Sequence, residues 1–219
     1  MRRANFENEL RQLHLELIGM GNLVETAIEE SIRAFTNNDA EQCHAIVEND
    51  REVNEAEMRI DSKCLWLIAR EQPIASDLLK ITAAMKITTD MERIGDHAAD
   101  IAKLTLGMGE RNGLADSVHI PQMAAAAIGM VRDAVTAYVN DDTALAQRTR
   151  EEDDVVDDYF RRIKGELADV CRSRPQYSGA AIDMLLVAKY LERIADHAVN
   201  ICQWVDFSIT GEYRKTQIF

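Results

Sequence analysis

Residues 91–101 read Met-Glu-Arg-Ile-Gly-Asp-His-Ala-Ala-Asp-Ile, and 100 residues later, at 191–201, the chain reads Leu-Glu-Arg-Ile-Ala-Asp-His-Ala-Val-Asn-Ile. Seven of the eleven positions are identical. A phrase repeated at this distance makes the chain two copies of one unit, which restricts it to folds built by doubling. Packing of a core asks only for some hydrophobe at each apolar position. It does not ask for Glu-Arg-Ile-x-Asp-His twice, so the retained polar residues are the lead to function.

The hydrophobic spacing around the repeat is helical. Leu10, Leu13, Leu17, Met20, Val24, Ile28, Ile32 and Phe35 step by three or four and predict one long amphipathic helix, locally weakened by Gly19 and Gly21. Asp39 is placed to cap a second helix, with Gln42 as capping-box partner. That helix runs through Val47, Val53, Ile60 and Leu67 to about Arg70, before Pro73. A third runs from about Ser76 to Leu106, and Gly107, Gly109 and Gly113 interrupt the pattern. The cycle then recurs. A fourth helix carries Ile128, Val131, Val135 and Tyr138, a fifth ends near Arg172, and a sixth spans about Ser178 to Phe207. Short turns between long amphipathic helices predict an all-α protein: six long antiparallel helices in two tandem, pseudo-symmetric three-helix bundles, residues 1–113 and 114–219.

Composition narrows the function classes. A formal net charge of −13 sets the surface against nucleic-acid phosphates and anionic lipid, and favours cations or basic protein surfaces. Cys43, Cys64, Cys171 and Cys202 lack any Cys-x-x-Cys spacing and read as free thiols in a reducing compartment. The amino terminus opens into a charged amphipathic segment without the apolar core of a signal peptide, and no run approaches a membrane span, so the expected location is the cytoplasm. There is no phosphate-binding loop, no dinucleotide turn and no Ser-His-Asp arrangement, so no catalytic or cofactor-binding residue is assigned.

On the third helix Glu92, Asp96 and Asp100 recur at i, i+4 and i+8, within about 80° of one another and away from the arc of Met91, Ile94, Ala98 and Ile101. Glu192, Asp196 and Asn200 repeat this on the sixth helix. Acids also interrupt the packing faces of the second and fifth helices: Asp50-x-x-Val53-Asn54 is matched by Asp153-x-x-Val156-Asp157. A stripe of like charge needs compensation. Arg93, Arg193 and other bases supply one answer. A hard divalent ion held by clustered carboxylates from two helices supplies the other, with Asp50, Asn54, Glu92, Asp96 and Asp100 in one half and Asp153, Asp157, Glu192, Asp196 and Asn200 in the second. The ligand type does not choose among Fe, Zn, Mn, Mg and Ca. His97 and His197, beside the stripe, read as surface or orienting residues, and Trp66 and Trp204 as packing. The rival is a carboxylate-bridged metal-binding helical-bundle enzyme or storage protein. It needs Glu-x-x-His on two helices, and Glu41-x-x-His44 is answered by Ala144 and Gln147.

Glu-Arg-Ile-x-Asp-His in the third helix of each of two three-helix units, with the Asp-x-x-Val-Asn/Asp phrase on the second, resembles the PhoU family over nearly the whole chain. The resemblance implies a non-enzymatic, metal-binding negative regulator of phosphate uptake and of the phosphate regulon, active when phosphate is plentiful. It implies a homodimer whose partners are the ATPase of a phosphate ABC transporter and a phosphate-sensing histidine kinase, and which meets the membrane only through them. It places metal at Glu92-Asp96 with Asp100 and at Glu192-Asp196, where Asn200 departs from a full carboxylate set.

Overall fold

The structure is a computed structural model describing residues 2–109, 114 and 118–213, with side chains from Phe6 onward. Every regular element among the described residues is helical. Helix α1 spans Arg2–Asn37, α2 Ala40–Glu71 and α3 Ala75–Gly107. The second half holds α4 Ile120–Val139, α5 Thr143–Glu151, α6 Asp153–Ser173, a 3₁₀ turn Pro175–Tyr177 and α7 Ser178–Thr210. The expected boundary after residue 113 falls on residues outside the described ones.

Local signals set the helix ends. The Asp39 carboxylate accepts from the Gln42 backbone N–H at 3.0 Å, and Asp142 accepts from Leu145 N–H at 2.8 Å, so the two halves start their second helices with the same cap. The capping box forms only in part, because the Gln42 amide reaches across to Glu30 at 3.1 Å. The expected single fifth helix is two. At Glu152 the Val155 N–H bonds the Glu152 carbonyl at 3.0 Å, an i to i−3 bond that tightens one turn. The break lies in Glu151-Glu152-Asp153-Asp154. Carboxylates are unfavourable at a helix C-terminus and favourable in a first turn, so this run suits a restart.

The two three-helix units share one core. Within each half, α1 packs on α3 and α4 on α7; across the halves, α3 packs on α7 and α1 on α4. These four helices form a central bundle with one continuous apolar core, from Leu13 and Leu17 through Ile94 to Met130 and Ile194. Helix α2 lies against α1 and α3 on one flank, and α5 and α6 lie against α4 and α7 on the other. Gly21, which weakens α1 locally, serves this seam: a Cβ there would come within 3.3 Å of Val135 Cγ1 on α4. Cys43, Cys64 and Cys202 are buried and Cys171 half-buried, and no disulfide joins these four.

Polar links cross the seam as well. The buried Tyr138 hydroxyl on α4 donates to the Lys80 carbonyl of α3 at 2.9 Å, and Arg132 of α4 meets Glu25 of α1 at 2.7 Å. Tyr138→Phe removes one interhelix hydrogen bond from a site already buried, and is expected to cost about 1 kcal/mol, read as a lower urea midpoint with an unchanged slope.

Candidate functional site

The two acidic groups sit on opposite flanks, each where an outer helix lies along a central one. In the first half α2 brings Asp50 and Asn54 to the side of α3 that carries Glu92, Asp96 and Asp100. The Asn54 amide donates to Asp50 at 3.4 Å. Burial pushes the Asp50 carboxyl above its ordinary value, with Asp96 and Asp100 adding to the rise and Lys103 opposing it. Glu92 is raised by burial, then by Asp96, against Arg93. Glu57, which the sequence reading missed, belongs to the same group: it is raised by burial and by Asp61 and Asp96, and itself acts on Glu92. Its signal was available, since Glu57 lies seven residues, two helical turns, after Asp50.

The second half assembles Asp153 and Asp157 of α6 with Glu192 and Asp196 of α7. Asp153 is pushed up to about 6 by burial and then by Asp196, Asp157, Asp154 and Glu192. Asp196 rises by burial and by Glu192, against Lys189 and His197.

Neighbouring bases meet several of these acids. Arg93 bonds Asp96 at 2.9 Å and lies 3.4 Å from Glu92; Lys103 bonds Asp100 at 3.0 Å; Lys189 pairs with Glu192. Of the two answers to the like-charge stripe, the structure shows local pairing for the stripe itself; where the outer helix adds its own carboxylates, burial and neighbouring acids raise them. Among the described residues no group of three or more His, Cys, Asp and Glu side chains is arranged to hold a metal ion. What the residues supply is donor chemistry, oxygen throughout, and not a preformed cage.

Asn200 does not join the second acidic group. Its amide donates to Asp90 of α3 at 3.3 Å, across the seam between the halves. The same Asp90 carboxylate is 2.8 Å from His197 Nδ1. This explains the one marked departure within the repeated phrase. Helices α3 and α7 are antiparallel and related by the internal repeat, so the neighbourhood of Asp90 with Asn200 and His197 returns as Tyr190 with Asp100 and His97. Tyr190 and Asp100 line one cavity, and the Tyr190 and His97 rings lie 5.4 Å apart. An acid at 100 faces a phenol. An acid at 200 would face the Asp90 carboxylate, whereas an amide donates to it.

His97 corrects the sequence reading. It is buried, 9% exposed, because α7 covers its side of α3; the His197 ring lies 5.6 Å away. Burial lowers its pKa to about 4. Glu41 and His44 are both exposed near the start of α2.

The raised Asp153 makes a signed prediction. The folded value near 6 lies above the ordinary 3.8, so the folded state binds the proton more tightly than the unfolded chain. The resulting penalty is absent below 3.8 and complete above about 6. Asp153→Asn is expected to raise the thermal midpoint relative to the parent near pH ~7.5, and the gain is expected to fade as pH falls from ~6 to ~4. A pH-independent gain would refute the assignment.

Comparison with known proteins agrees with this architecture. A family model described as the PhoU domain matches residues 17–105 and again residues 120–205. A phosphate-specific transport system accessory protein PhoU homolog from Clostridium acetobutylicum is 36% identical over 97% of this chain and 97% of that protein. A protein of the same description from Caulobacter vibrioides is 33% identical over 97% of this chain and 93% of its own length. The crystal structure of the phosphate transport system regulatory protein PhoU from Streptococcus pneumoniae superposes with a TM-score of 0.88 at 29% identity, over 95% of this chain and 99% of that one. PhoU from Pseudomonas aeruginosa gives 0.85 at 29% identity, over 94% of this chain and 100% of that one. With both halves matched and relatives similar along nearly its full length, the chain belongs to the PhoU family.

Proposed function

We propose that this chain regulates phosphate uptake as a non-enzymatic adaptor, repressing a phosphate transporter and the phosphate regulon when phosphate is plentiful. The observation that carries this reading is the match of nearly the whole chain, both halves included, to proteins described as accessory or regulatory components of phosphate transport. The partners proposed are the transporter's ATPase and a phosphate-sensing histidine kinase, engaged at the cytoplasmic membrane face by a homodimer. No helix among the described residues is long and apolar enough to cross a membrane, which suits attachment through partners. The net charge of −13 favours basic docking surfaces. The direct test is a pull-down from host membranes at high and low phosphate without chelator. Recovery of the ATPase or the kinase, stronger at high phosphate, is expected; recovery of neither at both levels overturns the adaptor reading.

Metal binding is part of the proposal. The all-oxygen donor sets would be Asp50, Asn54, Glu92, Asp96 and Asp100 in the first half and Asp153, Asp157, Glu192 and Asp196 in the second, with Asn200 of the expected set turned to Asp90 instead. Fe, Zn, Mn or Mg ions would supply positive charge to Asp50, Glu92, Asp153 and Asp196, each raised by burial and by neighbouring acids. A Glu92→Ala/Asp96→Ala double variant, purified as a folded protein, is expected to hold less metal per chain by elemental analysis; unchanged content overturns the first site.

A further inference from the structure

Three cavities lie end to end between α1 and α2 in the first half. The first reaches Gly95 and Ala99 of α3 and shares Leu23 with the second, which shares Glu16 and Arg59 with the third. Read as one groove through these shared residues, their lining runs from Glu30 to Glu16 along α1, about 21 Å at 1.5 Å per residue, the length of about four helical turns.

The groove is deep where its residues are small. Gly19, Ala27 and Ala56 leave room between the larger Leu23 and Ile60. At Gly95 the space is already taken up by Val53, whose Cγ1 would lie 3.0 Å from an added Cβ; at Gly19 an added Cβ would meet nothing within 4 Å. An apolar side chain stands uncovered at the open end: Met58, which lines it, is 68% exposed. A flexible methionine at such an edge adapts to an incoming side chain.

Charge limits the occupant. Glu16, Glu30, Asp50 and Glu52 border the groove against two bases, Arg59 and Lys63, and Lys63 is already held by Glu16 at 2.9 Å and Glu9 at 3.7 Å. An anionic lipid surface or nucleic acid would be repelled. A second copy of a chain with net charge −13 would bring more acid to an acidic rim.

We propose that this groove receives one amphipathic helix of a partner protein, about four turns long, with aliphatic residues on the groove floor and Lys or Arg along its flanks. The proposal does not rest on the phosphate role above and can stand or fall separately from it.

The test is a nuclear magnetic resonance titration of the isotope-labelled full chain with a synthetic peptide of Leu and Lys, Leu at i, i+3, i+4 and i+7. Controls are a scrambled peptide of the same composition and a version with Glu for Lys. Saturable binding is expected only with the patterned Leu/Lys peptide, with shifts centred on Gly19, Leu23, Ala27 and Ala56. Gly19→Phe, placed in open space, is expected to weaken binding at least about tenfold. Glu52→Lys, at an exposed position, is the second variant and is expected to weaken binding while leaving the fold intact. No binding, equal binding of the scrambled peptide, shifts elsewhere, or affinity unchanged in both variants would overturn the proposal. Self-association abolished by Gly19→Phe would also overturn it, by assigning the groove to a second copy.

Discussion

The packing of α3 against α7 decides the positions of the other elements. Both helices are buried over most of their circumference: α3 through Ile81, Ile87, Met91, Ile94 and Ile101, and α7 through Val187, Leu191, Ile194, Ile201 and Val205. A helix that meets its own half on one side and the other half on a second has only one arc left for charge. The acidic stripes occupy that arc, and α2 or α6 then lies along it. The placement of carboxylates at the edge of each outer helix is thus a consequence of burying two apolar faces on one central helix.

Internal symmetry gives this arrangement twice, and the deviations from symmetry are chemically informative. Position 90 is Asp where position 190 is Tyr, so the seam contacts differ: a carboxylate receives His197 and Asn200 on one side, while a phenol ring lies against His97 on the other. The acidic groups differ as well. The first contains Glu57 and Asn54, with Arg93 and Lys103 in attendance; the second has Asp157 and Lys189, with Phe160 at the position matching Glu57 and the Lys189 ammonium over its ring. Each half therefore presents a distinct electrostatic surface, although both derive from one repeated helix.

The groove between α1 and α2 and the acidic group between α2 and α3 adjoin on the same outer helix and share Asp50. The acidic group concentrates carboxylate, the groove uncovered apolar surface with an acidic rim. A flank helix outside the central bundle is free to carry both, because the continuous core does not depend on its outer face.

The long helices and the Asp39 cap were readable from the chain because they depend on near neighbours: Asp39 caps within three residues, and a period of 3.6 exposes one face, whereas the interruption at Glu152 was not. The repeated phrase gave the doubling, and i, i+4 spacing gave the stripes. What lay across space was not readable. Periodicity put His97 at the margin between stripe and core, and only α7 made it buried. Asn200 matched Asp100 in sequence, yet its partner is Asp90 on another helix, more than 100 residues away. Glu57 joined the first acidic group because α2 runs antiparallel along α3. One-dimensional order fixes which side chains share a helix face; which faces meet depends on how apolar surfaces of two halves are buried together, and that is a property of the folded chain.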